Sequence, residues 1–343
     1  MASSTLRLDG GRRSDLEHAA RILRSGGLVA FPTETVYGLG ARGLDPAAVA
    51  RIFEAKGRPG DNPIILHVTD FDAARPLWNC KDGDFDQILD RCEKLATRFW
   101  PGPLTIVNYK SEVVPNITTG NLDKVGVRAP DHPVARELIQ LVGEPLAAPS
   151  ANASGRVSAT SAEHVLQTLD GRIDAIVDGG DCRLGIESTV VDITKETPVL
   201  LRPGAVPENE IRNVCGLLTI HTNTHDSETH AASPGLRYKH YSPLIGSVRL
   251  GGETMIQQFW KSPAAILLRK VTFENCCKTL GARPRDSVTE VLPDEAAAFA
   301  RLLYSALYRM ENARPELAII EAPPDTTDGA WRAVRDRLER AAN

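Results

Sequence analysis

The sequence lacks the short motifs that most directly reveal an enzyme's chemistry. Its six cysteines include no C-x-x-C pair, so no structural zinc site is predicted. No G-x-x-x-x-G-K-[ST] loop, G-x-S-x-G elbow or H-E-x-x-H helix occurs, so neither a Walker-type phosphate loop nor a serine hydrolase or zinc protease is indicated. Any chemistry is therefore expected to rest on positioning and charge neutralisation, as in phosphoryl or nucleotidyl transfer.

Long apolar runs and a surplus of basic residues are also missing. No apolar run approaches the ~20 residues of a membrane helix, and the amino terminus, MASSTLRLDGGRRSD, has no hydrophobic secretion region. We therefore expect a cytoplasmic protein with no membrane partner. The net charge is −4, from 40 Lys and Arg against 44 Asp and Glu. Proteins that grip nucleic acid over a wide face are normally basic, so no stable direct binding to nucleic acid is expected.

The length and the pattern of elements predict two α/β domains. A chain of 343 residues is longer than one core usually supports. Residues 1–215 alternate strands and helices, which predicts an α/β domain with a mixed sheet. Residues 246–343 repeat the alternation on a smaller scale. The polar stretch 219–243, rich in Thr, His and Ser, predicts an interdomain linker within 216–245.

Individual elements can be predicted from end signals and apolar runs. Ser14 to Glu17 reads as a capping box that starts a helix. Asp45 followed by Pro46 predicts the start of a second helix, which ends at Gly57. Buried strands are predicted at 28–31, 63–68, 104–109, 125–128, 175–177, 189–193 and 199–202.

Two polar clusters of the first domain suit phosphate. Lys56, Arg58 and Asn62 follow the end of the second helix, and two cations with an amide neighbour suit a polyphosphate. An ordinary solvated helix end is the alternative. The turn 149–155, PSANASG, and Ser158 follow an apolar strand and can offer hydroxyls and N–H groups to phosphate oxygens. An ordinary Ser/Asn turn is the alternative here.

Two further clusters place cations at strand ends. Arg128 follows Val125–Val127, where a guanidinium suits a carboxylate. Arg202 follows another apolar run, and Ser188 lies in the segment 185–189, GIEST. Taken singly, each arginine is explained as a partner in a surface salt bridge. Because such groups recur in four places, we expect them to converge on one binding site.

The ordered motifs resemble one known family. FPTETVYGLG, KGRP with Asn62-Pro63, VGVRAPDHP, APSANASG, GIESTVVD and LLRPG are similar to the YrdC family of threonylcarbamoyl-AMP synthases. SPGLRYKHYSP and the extra C-terminal unit resemble the longer, two-domain form. The resemblance implies an open twisted mixed sheet with a large concave cavity, plus a smaller C-terminal α/β domain.

The resemblance also implies a reaction. L-threonine, bicarbonate or CO2, and ATP would give L-threonylcarbamoyladenylate and pyrophosphate, with Mg2+ accompanying ATP and no metal ligand from protein side chains. A separate transferase complex would then pass the threonylcarbamoyl group to the adenosine beside the anticodon of certain tRNAs.

Site residues follow from the resemblance position by position. The threonine side would comprise Thr35, His67, Arg128, the backbone at Ala148, and Ser188. The ATP side would comprise Arg58, Asn62, Ser150, Ser158, Arg202 and Tyr241. Lys56 and Arg58 would be the catalytic cations. Lys124 departs from the family's usual Thr, and we expect it as a further ATP contact.

Two alternatives and one hypothesis remain open at this stage. A non-catalytic RNA-binding module of the same fold is disfavoured by the acidic net charge. An ATP-dependent carbamoyltransferase would usually carry additional domains that are not visible in the sequence. The basic aromatic segment 237–241, between Gly235 and Pro243, suggests a lid over the bound nucleotide.

Overall fold

A computed structural model of the chain describes residues 4–79, 85–220, 241–285, 287–326 and 328–342. Within them lie an 11-stranded mixed sheet, formed between residues 6 and 220, and a four-stranded parallel sheet, formed between residues 247 and 321. Helices alternate with the strands of both sheets. The predicted α/β class, with a large mixed sheet and a smaller second unit, is confirmed.

The first sheet takes its strands from eleven segments of the chain. They are β1 Leu6–Asp9, β2 Val29–Phe31, β3 Gly38–Arg42, β4 Leu66–His67, β5 Leu104–Tyr109, β6 Lys124–Arg128, β7 Leu146–Ala147, β8 Ala175–Asp178, β9 Thr189–Asp192, β10 Val199–Arg202 and β11 Thr219–Ile220. Their order across the sheet is β1-β8-β2-β3-β7-β4-β6-β5-β9-β10-β11. Seven of them coincide with predicted strands, and β4 is shorter than the predicted run 63–68 because only two of its residues pair regularly with neighbours.

Among the described residues, seven α-helices accompany this sheet. They are α1 Arg13–Arg24, α2 Pro46–Lys56, α3 Phe71–Ala74, α4 Phe85–Phe99, α5 Pro133–Val142, α6 Ala162–Leu169 and α7 Glu208–Cys215. The second unit comprises β12 Ser247–Gly251, α8 Glu253–Phe259, β13 Ala265–Arg269, α9 Lys270–Leu280, β14 Thr289–Leu292, α10 Ala296–Asn312, β15 Leu317–Glu321 and α11 Gly329–Ala342. None of the helices in the described residues is long and apolar enough to cross a membrane.

The start of α1 differs from the prediction. The helix begins at Arg13, its N-cap residue Arg12 makes no side-chain cap, and Ser14 therefore lies inside the first turn. The Glu17 carboxylate accepts from Arg13 Nε at 3.3 Å instead of closing a capping box. The predicted capping box is wrong because the helix already includes Arg13, so Ser14 does not occupy the N-cap position that the box requires.

The second helix follows its signals. The Asp45 carboxylate accepts hydrogen bonds from the N–H groups of Ala47 and Ala48, and Pro46 occupies the first helical turn. Gly57 ends α2 in the left-handed conformation, with φ of 60°. Because a left-handed residue reverses the chain direction at low cost only when it is glycine, the segment that follows turns back toward the sheet.

The residues predicted as linker fall into three groups. Thr219–Ile220 pairs in parallel with β10 as strand β11, so these two residues extend the sheet and do not begin a linker. Residues 221–240, including most of the proposed lid, lie outside the described residues. Tyr241 is described and buried.

The second unit packs directly on loops of the first. Val36, Val157 and Ile186 belong to the same buried apolar cluster as residues of α10 and α11. The Tyr308 hydroxyl donates to the Val157 carbonyl at 2.8 Å. A Cβ at Gly185 would lie 2.5 Å from Arg301 Cα. The loops that carry the sequence motifs are therefore covered by the second unit.

This close approach predicts a selective effect of one added methyl group. Gly185 and Gly180 both have positive φ, 75° and 84°, but nothing lies within 4 Å of a Cβ at Gly180. Gly180→Ala should lower the free energy of unfolding by only roughly 1–2 kcal/mol, the cost of left-handed strain. Gly185→Ala should lose about 1–3 kcal/mol more, because its methyl group overlaps the α10 backbone. Urea unfolding of both variants measures the difference, and equal losses would contradict the tight contact.

Candidate active site

One cavity collects residues from most of the sequence motifs. It lies where the segment 33–38 runs beside the loop 148–159: Tyr37 N donates to Ala159 O, and Leu39 N donates to Pro149 O, both at 2.8 Å. The lining residues are Thr33, Thr35, Val36, Tyr37, Gly38, Arg58, Ile65, His67, Arg128, Ala148, Pro149, Ser150, Glu187, Ser188, Arg202 and Tyr241. Nine of the thirteen predicted site residues are among them.

Arg128 and Thr35 form one side of the cavity. Strand pairing sets Arg128 opposite His67 across β6 and β4. Arg128 Nη1 donates to Thr35 Oγ1 at 3.0 Å, and its Nε donates to the Gly102 carbonyl at 3.2 Å. These two bonds hold the guanidinium against the sheet edge while it faces the cavity. A guanidinium in this position suits a carboxylate.

Glu34, which the sequence analysis did not assign, lies behind Arg128. Its Oε1 is 2.6 Å from Arg128 Nη2. The contact is an ion pair without the angles of a hydrogen bond, and both Glu34 oxygens lack a hydrogen-bond partner in the described part of the chain. Glu34 lies in the motif TETVYG between two threonines, and this position was the only sequence signal for it.

His67 is buried beside Arg128. Its Nδ1 is 3.3 Å from the Ile65 carbonyl, and because a carbonyl only accepts, Nδ1 carries the proton. Burial, and then the charge of Arg128, lowers the pKa of His67 to about 3. The imidazole is therefore neutral near pH 7, with Nε2 as an acceptor.

Arg58 forms the other side of the cavity. Its Nη2 donates to Asn62 Oδ1 at 2.6 Å and to the Pro63 carbonyl at 2.9 Å. Asn62 therefore lies behind the guanidinium and does not line the cavity. Burial lowers the pKa of Arg58 to about 10, which leaves it charged at neutral pH.

Lys56 holds the Ser-rich turn and does not line the cavity. Its Nζ donates to the Ser150 carbonyl at 2.5 Å and also to the Asn152 carbonyl. Burial and the nearby charge of Arg58 hold the pKa of Lys56 well below its ordinary value. In this arrangement the lysine shapes the turn that presents Ser150.

Arg202 and Ser188 complete the wall. Arg202 Nη2 donates to the Ser188 carbonyl at 3.0 Å, and Ser188 Oγ is 2.8 Å from Thr105 Oγ1. Burial lowers the pKa of Arg202. The positive charge of Arg202 also lowers the pKa of Arg58, because the two guanidinium groups lie close enough to repel each other.

Glu187 is a functional candidate that the sequence analysis missed. Its Oε1 accepts from Ser158 Oγ at 2.6 Å, and its Oε2 accepts from Arg337 Nε at 2.7 Å. Ser158 thus faces Glu187 and is not a lining residue. Burial would raise the pKa of Glu187, but Arg337 and Arg202 reverse this effect and hold it at about 2. Glu187 lies in the motif GIEST, but the sequence does not reveal its partners because Arg337 is 150 residues away.

Lys124 is not brought to the cavity. It begins β6, four residues before Arg128, and its Nζ pairs with Asp192 Oδ2 at 2.8 Å. Its predicted contact with ATP remains a prediction, and the ion pair with Asp192 competes with it. Tyr241, by contrast, lines the cavity and is only 4% exposed.

The residues do not fit a magnesium ion held by the protein. In the described part of the chain, no group of three or more His, Cys, Asp or Glu is close enough to hold a metal. Among the lining residues named above, Glu187 is the carboxylate, and both its oxygens are engaged. Mg2+ prefers free carboxylate, phosphate and water oxygens. Its arrival with ATP remains a prediction.

Comparisons with known proteins agree over most of the chain. Residues 21–204 match the Sua5, YciO and YrdC family model, described as telomere recombination, and residues 206–343 match the threonylcarbamoyl-AMP synthase C-terminal domain. A threonylcarbamoyl-AMP synthase of Pyrococcus abyssi is 43% identical over 334 residues, covering 94% of this chain and 93% of the relative.

The chain belongs to the threonylcarbamoyl-AMP synthase family. A synthase of Bacillus subtilis is 38% identical, covering 95% of this chain and 92% of that relative. The solved structure of P. abyssi Sua5 complexed with L-threonine is 39% identical, covers 99% of this chain and 98% of its own, and has a TM-score of 0.84. These matches confirm the predicted family and its two-domain form. They also confirm that the chain is an enzyme.

The depressed pKa of His67 predicts how acid affects this family member. Because the folded pKa of about 3 lies below the ordinary 6.5, the unfolded chain binds the proton first, and stability falls as the pH drops from 6.5 toward 3. The slope approaches about 1.4 kcal/mol per pH unit. The free energy of unfolding, measured with urea from pH 7 to pH 4, should therefore fall less steeply in His67→Gln than in the wild type. The exposed His18, replaced likewise, is the control, and equal slopes in the two variants would contradict the assignment.

Proposed function

We propose that the chain makes L-threonylcarbamoyladenylate and pyrophosphate from L-threonine, bicarbonate or CO2, and ATP. The observation that carries the proposal is the single cavity with two unlike sides. Arg128, Thr35 and a neutral His67 form one side, and Arg58 and Arg202 form the other. The names of the relatives and the threonine complex of P. abyssi Sua5 support this choice of reaction.

On the amino-acid side, each group has a matching partner. The Arg128 guanidinium would bind the threonine carboxylate, and Thr35, bonded to Arg128, would fix its direction. The neutral His67 would accept a hydrogen bond from the amine at Nε2. The Ala148 backbone and Ser188 would contribute polar contacts. An unprotonated imidazole suits this role because it does not repel the incoming amine.

On the nucleotide side, the buried arginines would neutralise phosphate charge. Arg58 and Arg202, charged in a wall shielded from water, are the strongest available partners for a polyphosphate. Ser150 would donate to phosphate oxygens from the turn that Lys56 shapes. Tyr241 would cover the nucleotide. Asn62 and Ser158 would act by fixing Arg58 and Glu187.

The chemistry follows from the alignment of the two sides. The threonine nitrogen bonds to the carbon of CO2 and loses a proton, which gives a carbamate. A carbamate oxygen then attacks the α-phosphorus, and the bond between that phosphorus and the oxygen leading to the β-phosphate breaks. Arg58 would stabilise the negative charge on the leaving pyrophosphate, and Lys56 would act by holding the turn that carries Ser150. Mg2+, when bound with ATP, neutralises phosphate charge further.

The product implies a consumer. A mixed anhydride of a carbamate and AMP is reactive toward water, so a transferase that acts on tRNA is the expected next partner. A cytoplasmic location fits such a partner and remains part of the proposal.

The reaction is tested by omitting one substrate at a time. Pyrophosphate release from ATP should require both L-threonine and bicarbonate, because the nucleophile is formed from the two. The measurement is an enzyme-coupled pyrophosphate assay in carbonate-depleted buffer, with each substrate restored separately. Release that proceeds without threonine would overturn the proposed function.

Variants on the two sides of the cavity should each weaken the binding of a different substrate. Arg58→Met should reduce the rate by about 10²–10³ and raise KM for ATP, because a buried charge that stabilises the transition state is lost. Arg128→Met should mainly raise KM for L-threonine. Steady-state kinetics with each substrate varied separately measure both constants. If Arg58→Met keeps near-normal rates, the phosphate assignment is wrong.

A further inference from the structure

Glu187 accepts most of its side-chain hydrogen bonds from the second unit. Besides Ser158, its partners are Tyr304 on α10 and Arg337 on α11. The Tyr304 hydroxyl is 3.0 Å from Oε2 and 3.2 Å from Oε1, and Arg337 Nε donates to Oε2 at 2.7 Å. These two residues lie 117 and 150 positions along the chain from Glu187. A carboxylate that lines the cavity is thus held from outside the first sheet.

Arg337 contacts the same cavity wall at two further points. Its Nη2 donates to the carbonyl of Pro203, the residue after Arg202, at 3.0 Å. Its guanidinium carbon lies 5.4 Å from the centre of the Tyr241 ring, within the range of a cation–π contact. Arg337 is 1% exposed, so one buried side chain touches the Glu187 carboxylate, the Arg202 segment and Tyr241.

Tyr304 also contacts Tyr241. The two rings stack with centroids 5.9 Å apart and planes 15° apart. The Tyr304 hydroxyl donates to Glu187, so Tyr304 is held both by its ring and by its hydroxyl. Tyr241 therefore contacts both Tyr304 and Arg337 at the cavity wall.

The charge of Glu187 gives these contacts their importance. A buried carboxylate in a wall proposed to receive phosphates would repel them unless a cation compensates it. Arg337 supplies such a cation from outside the cavity, and its charge adds to that of Arg202, which also acts on Glu187. The bonds of Arg128 and His67 run instead to Gly102, Thr35 and Ile65, all within the first unit.

We propose that Tyr304 and Arg337 are positioning residues for the nucleotide side of the cavity. Through them the second unit sets the affinity for ATP, and the affinity for L-threonine is left to the first unit. This inference rests on the proposed function for the identity of the two substrates. Neither residue touches the reacting atoms, and both act through Glu187 and Tyr241.

The test uses the full chain with four single variants. Arg337→Met removes the compensating charge, and Arg337→Lys keeps it. Tyr304→Phe removes one hydroxyl. Arg335→Met is the matched control, because Arg335 lies on the same helix and donates to the Pro323 and Pro324 carbonyls within the second unit. KM for ATP, KM for L-threonine and kcat are measured by pyrophosphate release, and ATP binding without threonine is measured by calorimetric titration.

The expected result is a split between the two substrates. Arg337→Met should raise KM and Kd for ATP about 30-fold or more, as expected when one partner of a buried charge pair is lost. Tyr304→Phe should raise them by about 3- to 10-fold, the effect of one buried hydrogen bond. KM for L-threonine should stay within about 2-fold in both. Arg337→Lys should recover part of the ATP affinity, and Arg335→Met should match the wild type.

A double variant tests the reason for the split. If an uncompensated carboxylate is what repels ATP, Arg337→Met combined with Glu187→Gln should bind ATP more tightly than Arg337→Met alone. Failure of Arg337→Met to fold leaves Tyr304→Phe, a change of one oxygen, to decide the question.

Equal rises in both KM values, or unchanged ATP affinity in Arg337→Met and Tyr304→Phe, would overturn the inference. Release of pyrophosphate by the wild type without threonine would overturn the proposed function instead. The calorimetric titration with ATP alone separates these two failures, because it does not depend on the second substrate.

Discussion

Three arginines buried around one cavity impose the main constraint on this structure. Arg58, Arg128 and Arg202 are 8%, 4% and 4% exposed, and a guanidinium remains charged under ordinary conditions. Burying such charges is unfavourable unless polar groups replace the lost water. The fold supplies carbonyl oxygens from Pro63, Gly102 and Ser188 for this purpose. These neutral dipoles stabilise the cations without cancelling their charge, whereas the Glu34 carboxylate also balances the charge of Arg128.

Local signals in the sequence predicted the elements that carry these cations. Asp45, Pro46 and Gly57 gave the correct limits of α2 because caps and left-handed glycines act over one turn. Apolar runs placed Arg128 and Arg202 at the ends of β6 and β10. The capping box at Ser14 failed because the helix begins at Arg13, a start that a four-residue pattern beginning at Ser14 does not reveal.

The direction of individual side chains was beyond the reach of the sequence. Lys56 is two residues from Arg58, yet its ammonium turns to the backbone carbonyls of Ser150 and Asn152. The sequence near Lys56 does not reveal this direction, because one partner, Ser150, lies 94 residues along the chain. The same limit applies to Glu187, whose partners on α10 and α11 become visible only when the second unit is packed against the loop at Gly185.

Two buried carboxylates, Glu34 behind Arg128 and Glu187 in the wall, give the two sides of the cavity different charge. Glu34 lies against Arg128, and His67 beside them is neutral, so the amino-acid side has no net charge and suits a zwitterion. Glu187 is compensated by Arg337 from outside, so Arg58 and Arg202 give the other side a net positive charge that suits a polyanion. Since complementary charge favours the right partner and disfavours the wrong one, this division would orient the two dissimilar substrates of the proposed reaction. It also explains how a carboxylate can occur in a wall proposed to bind phosphates, because a countercharge comes from a helix of the second unit.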